Sequence, residues 1–175
     1  MNDLILKSAN VGTLEANSLT MNGGNLVGHR MNVITVTDDR TLLNTESGSL
    51  LVVNHATKVV TLPTAEAGLH YKVLFLQDTD AAFTIVAGSG DSFFGSIRAV
   101  STTDDKTSAQ NITHATSIAT VASYDNLDFD HDTTTLGGKA GDVINLICVD
   151  DTAWLVDATI TLDGNPSSLA IINAG

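Results

Sequence analysis

From residue 31 onward, apolar and polar positions trade places in short bursts: "MNVITVT", "SLLVVN", "KVVTLP", "YKVLFLQ" and "FTIVAG". Each burst is about 5–7 residues long, the usual strand length, and is bounded by Asp, Gly, Asn or Ser. Residues 54–57, Asn-His-Ala-Thr, separate two Val-rich runs and predict a hairpin with a short loop. In "TLPTAEAG", Pro63 cannot donate a ladder hydrogen bond and so ends its strand. Thr64 can accept from a following N–H and Gly68 offers the positive φ that closes a single helical turn, so "PTAEAG" predicts a compact turn between two strands.

The later half continues at longer spacing. "NITHATSIATVAS" alternates as a Thr-rich strand of edge or interface character, and "DVINLICV" with "TAWLVDATITL" predicts a second hairpin through Asp150-Asp151. "SSLAIIN" predicts a terminal strand. About ten strands at close spacing, with no βαβ alternation and no fixed-length repeat, fit a sandwich, jelly roll or barrel. The expected fold is all-β, an antiparallel β-sandwich or jelly-roll-like domain over residues 31–175.

Residues 1–30 follow neither period. Leu6, Val11, Leu14, Leu19 and Leu26 stand apart among Asn, Ser and Gly, and Gly23-Gly24 supplies a flexible point. This pattern predicts an extended N-terminal arm docked on a neighbouring subunit.

Composition supports the β reading and narrows the partners. Thr is the most frequent residue and Val, Ser, Asp, Asn and Gly are plentiful, while Glu, Lys and Arg are scarce, which favours strands and turns over helix surfaces. The net charge is −12, with only eight Lys and Arg scattered singly. Neutralising phosphates takes clustered bases, so no nucleic acid is expected as a partner. Anionic membrane surfaces are disfavoured for the same reason. The start "MNDLILKSAN" lacks the basic and apolar regions of a signal peptide, and no apolar run is long enough for a spanning helix. Synthesis in a cytoplasm, without export by the general route, is the expectation. Cys148, the one cysteine, lies in the apolar run "DVINLICV" and reads as a small buried hydrophobe.

Candidate chemistry is thin. The sharpest cluster is "SYDNLDFDHD", in which Asp128, Asp130 and Asp132 share one face of a strand and Leu127, Phe129 and His131 the other. Three like charges on one face invite a hard cation. The run opens like a calcium loop and then departs from it, with Thr133 where Gly is needed and Lys139 where the closing Glu is needed. We read it as a solvated face and expect no metal, with these three aspartates the one place for a cation. Asp104-Asp105 and Asp150-Asp151 sit in turn-like surroundings that favour Asp for backbone reasons. The histidines at 29, 55, 70, 114 and 131 never form HxH or HExxH. Ser89 and Ser92 in "GSGDSFFG" lack a nucleophile elbow, and that segment reads as a Gly-rich turn leading into buried Phe93 and Phe94. No catalytic residue and no cofactor is expected.

Three segments together, "TLPTAEAGLHYKVLF", "GSGDSFFG" and "GGKAGDVINLICVDDTAWLV", resemble a group of small β-rich virion proteins of tailed bacteriophages, often marine ones. In that group a strand ends in T-L-P, a turn ends in Ala-Gly, a Gly-Asp pair later opens a strand, and a Trp follows. Here those positions are Thr61, Leu62, Pro63, Ala67, Gly68, Gly141, Asp142 and Trp154. The resemblance spans roughly residues 40–160 and leaves the arm uncovered. It implies a non-enzymatic capsid decoration, or cement, protein that trimerises on the head exterior, contacts the major capsid protein and braces the shell. The other reading it leaves is a tail or fibre module that recognises a host surface glycan; an enzyme such as a glycan depolymerase is the weakest. Residues 108–122, "SAQNITHATSIATVA", carry no formal charge and suit either a subunit interface or an ordinary buried strand pair.

Overall fold

The structure, a computed structural model, describes residues 31–54, 58–78, 82–101, 124–130, 136–163 and 171–173. The predicted arm, the loop at 55–57, the uncharged stretch 108–122, Asp132 and four of the five histidines lie outside the described residues.

Strands β1 (Val33–Val36), β3 (Leu50–Val53) and β5 (His70–Phe75) are parallel neighbours in one sheet. Strands β2 (Arg40–Thr41), β4 (Lys58–Thr61) and β6 (Phe83–Val86) are parallel neighbours in a second. The chain therefore changes sheet at every connection from β1 to β6, and each circuit adds one strand to each sheet. Parallel neighbours need a long crossover, usually a helix. Here a strand of the opposite sheet serves as that crossover. The corners stack as the strands do: Leu42 N–H donates to Thr61 O at 2.8 Å, and Leu62 N–H donates to Val86 O at 2.8 Å.

After β6 the winding changes. Strand β7 (Ser92–Ser101) returns to the first sheet but not beside β5. The hairpin of β9 (Val143–Cys148) and β10 (Ala153–Leu162) fills the space, giving the order β1-β3-β5-β9-β10-β7. Strands β8 (Asn126–Phe129), antiparallel to β6, and β11 (Ile172–Asn173), antiparallel to β8, complete the second sheet.

Strand alternation sends one face of each sheet inward. Val60, Ile85 and Leu127 lie in register across the second sheet, and Val73 pairs with Ile144 in the first; all are buried. Phe75 of the first sheet meets Phe83 edge-on at 5.5 Å and Phe129 at 5.2 Å, both from the second, in the offset geometries that aromatic rings prefer. At the other end Tyr71 and Trp154 pack at 5.9 Å, and the Tyr71 hydroxyl donates to Leu43 O at 2.9 Å. Burial, with Glu46 nearby, pushes the Tyr71 pKa up to about 12.

The strand-rich expectation holds, and the hairpin through Asp150-Asp151 is present: Trp154 pairs with Cys148, and Asp150 Oδ1 accepts from Thr152 N–H at 2.8 Å. The antiparallel sandwich or jelly roll needs correction. Five of the nine pairings among the described strands are parallel, so both sheets are mixed. The hairpin expected at residues 54–57 is absent, because β3 and β4 belong to different sheets. The turn at 63–68 is not helical: Leu69 N–H donates to Glu66 O at 3.1 Å, with Gly68 at φ 96° in the third position of a β-turn. Of the two phenylalanines expected inside, Phe93 is buried; Phe94, next along a strand, faces the opposite side and is half-buried.

Candidate functional site

The acidic run was the leading candidate for chemistry. Leu127 and Phe129 of β8 do point into the core, which turns Asp128 outward. Asp128 lies opposite Thr84 of β6, whose hydroxyl donates to Asp128 Oδ1 at 2.7 Å. That bond is a cross-strand staple. Asp130 follows the strand's end, half-buried, while His131 and Asp132 lie outside the described residues. Among the described residues no group of three or more His, Cys, Asp or Glu side chains could hold a metal ion.

Two carboxylates that the sequence offers no chemistry for are buried, and both serve the backbone. Asp142 is 2% exposed. Its Oδ2 accepts from Gly138 N–H at 3.1 Å and Lys139 N–H at 3.0 Å, and its Oδ1 from Thr161 N–H at 2.8 Å. Burial pushes its pKa up, and these donors pull it part of the way back. Asp91 in the "GSGDSFFG" turn is likewise buried and accepts from Ala65 N–H at 2.8 Å, which ties that turn to the "PTAEAG" turn. A buried acid committed to N–H groups of loops it holds is a clamp. Cys148 is also buried, with its thiol donating to Asp150 O at 3.0 Å; burial pushes its pKa up, away from nucleophilic use.

The first sheet presents a different kind of surface. Its outer face is built in rows by the register: Leu50, Lys72, Asn145, Asp157 and Ser96 run across β3, β5, β9, β10 and β7. The next row holds Val52, Leu74, Val143, Thr159 and Arg98, and a third holds His70, Ile147, Leu155 and Phe94. Apolar and polar side chains are equally numerous in these rows, the third row is apolar but for His70, and only Lys72, Asp157 and Arg98 carry charge. Arg98 and Asp157 approach to 3.8 Å. Arg40, Lys58 and Lys139 of the described residues also face carboxylates, and Lys72 does not. A cleft of about 640 Å³ opens on this face, lined by Met31, His70, Lys72, Ile147, Leu155 and Asp157 among others. Ile147 is 42% exposed and Met31 51%.

Reasoning from the sequence missed this face. The signal was present in "DVINLICV", where Val143 and Ile147 are apolar at one parity and Ile144 and Leu146 at the other. A strand apolar on both sides expects cover on both sides. Compared with known proteins, the chain matches no family model, no curated protein and no solved structure.

Proposed function

We propose that the chain is a non-enzymatic structural protein of a phage virion, a capsid decoration protein that assembles as a homotrimer on the head exterior and braces the shell through contacts with the major capsid protein. The observation that carries this reading is the outer face of the first sheet. It carries an apolar row, Ile147, Leu155 and Phe94, beside polar ones and is nearly balanced in charge on a chain of net charge −12, and such a face is suited to contact with protein. The phage assignment rests on the sequence resemblance. The buried carboxylates fit the reading, since each accepts from N–H groups of the loops it holds. An exterior position suits the acidic balance, because packed DNA would repel the same charge.

Adding the purified chain to particles that lack it tests the proposal. Bound chain should raise the temperature at which heated particles release their genome. Absence of binding to shells, together with binding to host surface glycans, would favour the tail or fibre reading.

A further inference from the structure

We propose that the cleft on the outer face of the six-stranded sheet receives the N-terminal segment, residues 1–30, of a second copy of the chain. The inference goes beyond the virion reading, since it concerns how copies join one another and is tested without a shell.

Three observations carry it. The first is where the described chain begins. Met31, the first described residue, lines the cleft, and 30 residues precede it in the chain. Leu19, Leu14 and Leu6 lie 12, 17 and 25 residues before Met31 (31 − 19, 31 − 14 and 31 − 6). At full extension those separations reach about 40–85 Å. A domain of this size has a radius of gyration of only about 15 Å. The segment is therefore long enough to pass its own domain and meet a neighbour.

Charge is the second observation. Residues 1–30 hold two acids, Asp3 and Glu15, and two bases, Lys7 and Arg30, and so sum to zero. The whole −12 thus resides on residues 31–175 (−12 − 0 = −12). Acidic domains repel one another at close range. A neutral segment with spaced leucines is the part of the chain that crosses that repulsion.

The third is the cleft's own chemistry. Ile147, Leu155 and Met31 offer apolar surface to leucines, while Lys72 and Asp157 offer one charge of each sign. A concave site takes an inserted segment better than a second flat sheet, which would leave the hollow unfilled. Donation of a segment to the next copy is a heterologous contact, and such contacts close into rings when the rotation permits. The expected trimer is one such ring.

The test uses full-length chains in native mass spectrometry at micromolar concentration. One variant, Ile147→Asp, spoils the cleft and keeps the segment. The other, Leu14→Asp with Leu19→Asp, spoils the segment and keeps the cleft. The parent chain should form a closed homo-oligomer, and each variant alone should associate about tenfold more weakly or worse. Mixed in equal amounts, the two should form a heterodimer, because one sound segment then meets one sound cleft. Unchanged Trp154 emission shows that each variant is folded. Lys72→Glu, at an exposed side chain of the same cleft, is the second cleft variant should Ile147→Asp not fold. Three outcomes overturn the proposal: a monomeric parent, variants that assemble as the parent does, or a mixture that stays monomeric because the segment serves its own chain.

Discussion

Replacing Asp142 by Ala should cost the fold more than any surface change, and the size of the loss follows from its three partners. The carboxylate is the acceptor for Gly138, Lys139 and Thr161 N–H groups, and it joins the loop before β9 to the far end of β10. A buried donor left without a partner costs about 1–3 kcal/mol. The Gly138 bond is buried and takes that range in full, while the other two are part-buried and water recovers some of their loss. The sum is about 2–6 kcal/mol. For a domain of this size that lowers Tm by roughly 5–20 °C. Urea unfolding followed by Trp154 emission measures it cleanly, since the chain has one tryptophan and it is fully buried. Asp142→Asn, which keeps the shape and one acceptor oxygen, should fall between parent and Ala. A loss below about 1 kcal/mol for Asp142→Ala would show that the carboxylate does not clamp these loops.

The same residue sets a pH dependence. Burial raises its folded-state pKa above the ordinary 3.8, so its stabilising contribution is complete below 3.8 and is lost as pH rises through the higher folded value. The parent should therefore gain stability relative to Asp142→Asn as pH falls from neutral toward 4, read from paired urea titrations. Gly95→Ala should destabilise by at least about 3 kcal/mol or prevent folding, measured by thermal melt. Gly95 sits at φ 136°, and a Cβ there would lie 2.0 Å from Val156 O on the neighbouring strand. Phe75→Ala should cost about 3–5 kcal/mol in urea, because the ring packs from the first sheet against both Phe83 and Phe129 of the second. Calcium and a chelator should give the same melt for the full chain, since Asp128 is engaged by Thr84.

What could be read from the sequence was the position of most strands, though not of β2 or of the ten-residue β7, whose start reads as a turn. The bursts at 31–37, 49–54, 58–63, 71–77 and 83–88 each overlap a strand, since period-two alternation is a property of the burst itself. Strand direction is not written in that period. The loop at 54–57 is as short as a hairpin loop, yet it joins β3 to a strand of the opposite sheet, and no Asn-Gly or Asp-Gly pair was there to demand a tight reversal. Where Asp-Asp-Thr did favour a turn, at 150–152, the hairpin formed. The buried acids were invisible for a related reason. Asp91 reaches Ala65, 26 residues away, and Asp142 reaches Thr161, 19 away. Only the packed sheets bring those partners together. The outer face of the first sheet became legible once the register placed Ile147, Leu155 and Phe94 in one row.

Image reconstruction of virions that carry the chain, subtracted from otherwise identical particles that lack it, tests the central claim most directly. A structural protein of the head exterior should leave difference density on the outer surface of the shell, repeated with the lattice of the major capsid protein and shaped as three two-sheet domains at each position. Difference density confined to the tail or its tip, or none at all, would contradict the account.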